Sequence, residues 1–210
     1  IATGYLPQKQ KVIPNGFDTN QFKPENKTNL NFFKNKKNLA SNDFLIGYVG
    51  KNSKIKGLDL FIKSAGIISK KYKNVKFIFI GKDLILKNKF MFNLLNSNNC
   101  LEKSILLGEV KDLENIICHF DILSLTSRSE GFPNVIGEAM CSGVPCVSTN
   151  VGDCKIIIGD TGLIVNSFEP IDIAKAWESL YKMSSNERKN LGNKARKRII
   201  SQFSLSNIVK

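Results

Sequence analysis

Asp121-Ile122-Leu123-Ser124-Leu125 is a short apolar run, and Val144-Pro145-Cys146-Val147-Ser148 is another. Between them lie a loop from Thr126 onward and a helical stretch from Val135 to Met140. Strand, helix and strand in that order make a crossover unit, the connection that parallel strands require. Pro133 stands where a first helical turn would begin, and its missing N–H has no intrahelical bond to lose there.

The pattern repeats outward in both directions. Upstream, Phe44-Leu45-Ile46-Gly47-Tyr48-Val49 ends at Gly50, and Leu58, Ile62, Ala65, Ile68 and Tyr72 then recur at helical spacing. Val75-Lys76-Phe77-Ile78-Phe79-Ile80 is stopped by Gly81, and Phe90, Leu94 and Leu95 mark a Lys- and Asn-rich helix. Ile105-Leu106-Leu107 is stopped by Gly108, and Leu113, Ile116 and Ile117 form a short helix. Downstream, Gly162-Leu163-Ile164-Val165 is a short sixth strand. The carboxy end is helical. Pro170 suits a first turn, with Ile173, Ala176 or Trp177, and Leu180 behind it. Ser184 and Glu187 have capping-box spacing, and Leu191, Ala195, Ile199 and Phe203 make one apolar stripe.

Apolar strands alternating with amphipathic helices predict an α/β fold, a Rossmann-like doubly wound parallel sheet covered on both faces. Such sheets bind ligands beyond the carboxyl ends of their strands. Functional groups are therefore expected in Gly50 to Gly57, Gly81, Gly108 to Val110, Thr126 to Glu138, and Thr149 to Asp153. The domain is expected over 41–210, with carboxy-terminal helices over 170–210. Residues 1–40 read as the end of a preceding part and a linker: Lys11 to Asp18 is a strand and a turn, and Pro24 to Ser41 is polar.

The chain has 210 residues, 42% hydrophobic and 23% charged, as an ordinary soluble globular protein has. No apolar run approaches the roughly 20 residues that span a bilayer. The first residues lack the marks of a signal peptide and are expected to lie inside a longer chain. A net charge of +13 has two open readings, a solvated basic surface or attraction to an anionic membrane. Nucleic acid is disfavoured because the basic runs lack interleaved aromatics for stacking. Cysteines at 100, 118, 141, 146 and 154 include no C-x-x-C pair, so buried thiols in a reducing cytosol are expected. The single histidine, His119, has too few companions for a metal site.

The chemistry concentrates in Ser127 to Glu138. A helix starting near Pro133 leaves the N–H groups of Asn134 and Val135 open with positive partial charge, which suits a diphosphate. Gly131 lets a ligand approach the backbone. Glu138 is four residues from Asn134, so both side chains face one way, and its carboxylate can accept from two adjacent hydroxyls such as those of a ribose. Glu130 is expected at the mouth of the site.

This segment resembles the glycosyl transferases group 1 family, family 4 of the glycosyltransferases, whose hallmark is two glutamates separated by seven residues. Glu130-Gly131-Phe132-Pro133-Asn134-Val135, Glu138-Ala139-Met140 and Gly143-Val144-Pro145-Cys146-Val147 carry the resemblance. Val151-Gly152-Asp153, Gly159-Asp160-Thr161-Gly162, Ile13-Pro14-Asn15-Gly16-Phe17-Asp18 and Phe22-Lys23-Pro24 extend it over nearly the whole chain. The resemblance implies the second, donor-binding domain of a GT-B fold, with the amino-terminal acceptor domain absent from this chain. It implies a ribose-binding role for Glu138 and a contact of Glu130 with the transferred sugar. It also implies that backbone amides of Gly131, Phe132, Pro133, Asn134 and Val135 surround sugar and phosphate, although Pro133 has no N–H to give. The donor it implies is a UDP- or GDP-sugar, the outcome retention at the anomeric carbon, and no metal or other cofactor is expected.

The family's basic pair maps to Gly50-Lys51-Asn52-Ser53-Lys54-Ile55-Lys56-Gly57. Lys56 matches the usual lysine. Lys51 replaces the usual arginine, keeping the charge but losing the two-pronged donor. Lys51, Lys56 and Glu130 are thus the candidate catalytic residues. Ile156 departs from the pattern where relatives often carry glutamate. Partners expected are a nucleotide-sugar, the missing acceptor domain and an anionic membrane at the cytoplasmic side, without nucleic acid. The alternative is a nucleotide-sugar-binding module inactive without a separate acceptor-domain partner. An epimerase or phosphorylase is weaker, and a dehydrogenase is disfavoured because no G-x-G-x-x-G follows a strand.

Overall fold

A computed structural model describes residues 13–24 and 37–209. Six strands form one parallel sheet: β1 (Phe44–Val49), β2 (Val75–Ile80), β3 (Ser104–Gly108), β4 (Ile122–Leu125), β5 (Cys146–Thr149) and β6 (Leu163–Val165). Their spatial order is β3-β2-β1-β4-β5-β6. The helices are α1 (Leu58–Lys71), α2 (Lys89–Ser97), α3 (Glu114–Ile117), α4 (Asn134–Cys141), α5 (Cys154–Ile158), α6 (Pro170–Lys182), α7 (Ser185–Gln202) and α8 (Leu205–Ile208).

Successive strand residues point to opposite faces, so a sheet covered on both sides needs two apolar layers. The structure has them. Phe77 and Phe79 of β2 join α1, α2 and α6 on one face, whereas Ile78 and Ile80 join α4, α5 and α7 on the other. Phe61 and Trp177 lock the first layer with ring centroids 4.8 Å apart. The indole N–H of Trp177 donates to Ser124 Oγ at 2.8 Å, which satisfies a donor that burial would otherwise strand.

The doubly wound parallel sheet is as the sequence predicts, with local differences. The fifth strand begins at Cys146 instead of Val144. Helix α2 buries Met91 and Leu95, while Phe90 is 57% exposed. Pro133 is the N-cap of α4 and lies just outside the helix, with extended ψ. Ser184 and Glu187 do form a capping box, and Ala195, Ile199 and Phe203 are buried. Among the described residues the free thiols of Cys100, Cys141, Cys146 and Cys154 are buried, and Cys118 is half-buried.

The segment read as a linker is seated on the domain where it is described; Lys11 and Val12 of its expected strand lie outside the described residues. Phe17 pairs backbone with the end of α7, its N–H donating to Phe203 O at 2.8 Å. Its ring lies over Gly137, where any Cβ would come within 2.1 Å of the ring, so only glycine lets the segment sit this close to α4. Arg196 donates to the carbonyls of Thr19 and Phe22 at 3.0 Å and to that of Cys141, tying the segment to α4.

Strand β1 is the switch point. From β1 the chain winds one way to β2 and β3, and the other half of the sheet, β4 to β6, lies on the opposite side. The crevice beyond the carboxyl ends of β1 and β4 is where a doubly wound sheet binds its ligand. The loops leaving those two strands are Gly50–Gly57 and Thr126–Pro133.

Candidate functional site

Those two loops are fastened to each other. Thr126 Oγ1 donates to Gly57 O at 2.8 Å. The Arg128 N–H donates to Ile55 O at 2.7 Å, and the Arg128 guanidinium donates to Lys54 O at 2.7 Å. The same guanidinium grips both oxygens of Asp59, in the first turn of α1, at 2.7 Å each. Hydrogen bonding to Arg128 holds the Asp59 carboxyl below the usual carboxylate range. Gly57 makes the approach possible: its φ is +63°, and a Cβ there would stand 1.8 Å from Thr126 O.

Across this junction Lys56 Nζ meets both oxygens of Glu130, at 2.7 and 2.8 Å. Ser127 Oγ donates to Glu130 Oε1 at 2.6 Å. The Glu130 side chain is only 9% exposed, so both partners offset a real desolvation cost. Beneath the lysine loop, the Tyr48 hydroxyl donates to Lys51 O at 3.2 Å and Lys56 O at 3.3 Å. Burial first, then the charges of Glu130 and Asp59, push the Tyr48 phenol far above its ordinary value and keep it a donor. Lys51 is exposed, and among the described residues its side chain makes no hydrogen bond or ion pair.

Helix α4 supplies the second part. The N–H groups of Asn134 and Val135 have no backbone acceptor among the described residues, because they precede the first bond of the helix. Gly131 is exposed, and a Cβ there would meet nothing within 4 Å, so the backbone in front of the helix is open. The Phe132 side chain turns inward between Phe17 and Phe203, with centroids 5.9 and 6.2 Å away, leaving only its backbone for a ligand. Val135 likewise packs on the core.

Asn134 and Glu138 face one way, as their spacing requires. Together with Asn15, Gly16, Phe17, Asp18, Gln21 and Phe22 they line a cleft of about 400 Å³. Asn15 Nδ2 donates to Asn134 Oδ1 at 2.8 Å, so this wall reaches the helix N-terminus. The Glu138 carboxylate has no hydrogen bond or cation among the described residues. Burial, with a smaller push from Glu114, raises its pKa.

The structure therefore brings Lys56 and Glu130 together at one junction and Asn134 with Glu138 at one cleft, places Gly50 against Gly81 beyond the end of β1, and leaves Lys51 on the rim. Sequence reasoning included Thr126, Ser127 and Arg128 in a functional loop without giving them roles, and it did not single out Tyr48, Asp59 or Asn15 for the site. Asp59 carried a visible signal as an acidic residue in a first helical turn. Thr126, Arg128 and Asn15 form contacts between segments far apart in sequence, which local pattern cannot show, whereas Ser127 and Tyr48 reach residues three to eight positions away through loop turns that carry no periodicity. Ile156 is 60% exposed on α5, and its carbonyl accepts from Arg198 at 2.7 Å; nothing in the structure gives its side chain a role. Among the described residues no cluster of histidine, cysteine and acidic side chains could hold a metal ion. No described helix is long and apolar enough to cross a membrane.

A parallel sheet thus carries paired lysine and glutamate loops at its switch point, with a helix N-terminus following the glutamate loop. The chain belongs to the glycosyl transferases group 1 family, whose model matches residues 30–198. It is 30% identical to the capsular polysaccharide biosynthesis glycosyltransferase CapM of Staphylococcus aureus, covering 97% of this chain and 54% of CapM. It is 31% identical to the UDP-Gal:alpha-D-GlcNAc-diphosphoundecaprenol alpha-1,3-galactosyltransferase of Escherichia coli, covering 97% of this chain and 52% of that enzyme. Its fold superposes with a TM-score of 0.86 on Anabaena HepE in complex with UDP-glucose, at 21% identity, over 98% of this chain and 56% of HepE. The chain thus spans about half the length of the curated relatives it matches.

Proposed function

We propose that this chain is the donor-binding half of a retaining glycosyltransferase. It moves a sugar from a UDP- or GDP-sugar to a glycan or lipid-linked acceptor in cell-surface polysaccharide or glycoconjugate synthesis. The observation that carries this reading is the meeting of Lys56, Glu130 and the open N-terminus of α4 at the switch point, with Glu138 on the same helix.

Each group has a task. Glu138 accepts from the ribose hydroxyls, which would satisfy a carboxylate now desolvated without a partner. The N–H groups of Asn134 and Val135 meet the diphosphate, and Gly131 and the Phe132 backbone border the sugar. Breaking the sugar–phosphate bond places negative charge on the leaving nucleoside diphosphate. Lys56, Lys51 and the helix N-terminus stabilise that charge, Lys56 and the helix N-terminus from positions fixed beforehand. The departing phosphate accepts the proton of the acceptor hydroxyl, while Glu130 orients the sugar. The protein's own cations meet the diphosphate charge, and the resemblance implies no metal.

The length relation to the relatives supports an acceptor-binding half outside this chain, so this chain alone binds donor without transferring sugar. A module that works beside a separate acceptor subunit is the second reading that the same relation favours. The +13 charge supports contact with an anionic membrane at the cytoplasmic side, where a lipid-linked acceptor would lie.

A thermal-shift screen of nucleotide-sugars on the purified chain tests the donor claim. A ligand at a hundred times its Kd stabilises the fold by about 2.7 kcal/mol. One base and sugar should give the largest rise in Tm. No rise with any UDP- or GDP-sugar would count against the site.

A further inference from the structure

Arg128 belongs to the glutamate loop and faces the lysine loop, yet its guanidinium bonds to neither Lys56 nor Glu130 among the described residues. Its contacts are instead with the framework of the lysine loop. The guanidinium donates to Lys54 O and to both oxygens of Asp59, and the Arg128 N–H donates to Ile55 O, all at 2.7 Å. Lys54 and Ile55 immediately precede Lys56, and Asp59 immediately follows Leu58. One residue of the glutamate loop thus holds the lysine loop on both sides of Lys56. Thr126 closes the same seam at Gly57 O.

A surface ion pair usually contributes little. This pair differs in geometry. It is two-pronged, both side chains are about one-third exposed, and a third donor hydrogen bond goes to a backbone carbonyl. Only a planar guanidinium can make all three contacts at once, since an ammonium is a point donor. The Lys56 side chain is 37% exposed on a flexible stem. Glu130 holds its Nζ at one end and the clamped loop holds its backbone at the other, so both set its position relative to a phosphate.

We infer that Arg128 is a positioning residue: its clamp on Lys54 and Asp59 fixes the Lys56 loop for the phosphate nearest the transferred sugar. This rests on the proposed donor-binding function. Preorganised charge is effective because nothing has to move when the charge develops. A displacement of about 1 Å in such a group can cost up to about a hundredfold.

The experiment compares nucleoside diphosphates with monophosphates on the 210-residue chain, because the proposed donor site puts at the lysine loop the distal phosphate that a monophosphate lacks. UDP, GDP, UMP and GMP are titrated calorimetrically into the wild type, Arg128→Ala, Arg128→Lys and the exchange Asp59→Arg with Arg128→Asp. Tm is measured on each to establish that it is folded. We expect Arg128→Ala to weaken the preferred diphosphate about tenfold and its monophosphate less than about twofold. Arg128→Lys should resemble Arg128→Ala, and the exchanged pair should recover part of the diphosphate affinity. Equal loss for both nucleotides, or no loss in Arg128→Lys, overturns the positioning role while leaving donor binding intact. A wild type that binds none of the four nucleotides overturns the donor-binding function and this inference with it.

Discussion

Seven residues separate Glu130 from Glu138, and the protein treats them in opposite ways. Glu130 is almost enclosed, held by Lys56 on both oxygens and by Ser127 on one. Glu138 is half-buried against the cleft, with burial raising its pKa and no cation or donor answering it among the described residues. A satisfied buried carboxylate is part of the fold. An unsatisfied one costs stability that only a ligand can return. Under the proposed function, Glu130 would belong to a site assembled before the donor arrives, and Glu138 to one completed by the donor.

Substitutions can break this contrast or sharpen it. The largest effect is expected for Glu130→Gln in an active transferase containing this chain. It leaves Lys56 without its anion and should lower kcat by about a hundredfold or more, with donor KM changing much less. Steady-state kinetics over donor concentration checks it; an unchanged kcat would remove Glu130 from the chemistry. Gly57→Ala forces a side chain into Thr126 O at a positive φ and should destabilise the chain by about 2–4 kcal/mol. Urea denaturation measures this, and a loss below about 0.5 kcal/mol would mean that the two loops are not locked.

Glu138→Ala should leave the fold intact and weaken donor binding by about 10- to 100-fold, the worth of hydrogen bonds to a charged group. The smallest effect has the opposite sign. A carboxyl whose folded pKa is raised binds its proton more tightly in the folded state. Folding stability then falls as pH rises from about the unfolded value of 4.5 through the folded one. Glu138→Gln removes that loss. At neutral pH its Tm should exceed the wild type's by about 1–2 °C, and the advantage should vanish below pH 4.5. A lower Tm at neutral pH would show that Glu138 has a stabilising partner.

The strands themselves are plain in the sequence because short apolar runs ending at Gly50, Gly81 and Gly108 leave little else to be built, whereas their spatial order is not. The helix that carries Glu138 was equally legible from Pro133 and the spacing to Asn134. What the sequence hid is the seam. Arg128 and Asp59 are 69 positions apart, as are Thr126 and Gly57, and no local periodicity relates them. Phe90 misled for a related reason: helical spacing allows more than one apolar stripe, and packing chose Met91 and Leu95. The seating of Phe17 over Gly137 was hidden too, since a glycine within a helix reads as a cost until the ring that needs its space is seen.

The most direct measurement is a calorimetric titration of the donor selected by the thermal screen into the wild type and Glu138→Ala at neutral pH. The account predicts one site per chain in the wild type and binding weakened at least about tenfold in Glu138→Ala, with both proteins folded. Equal affinity in the two proteins, or no binding by the wild type, would contradict it.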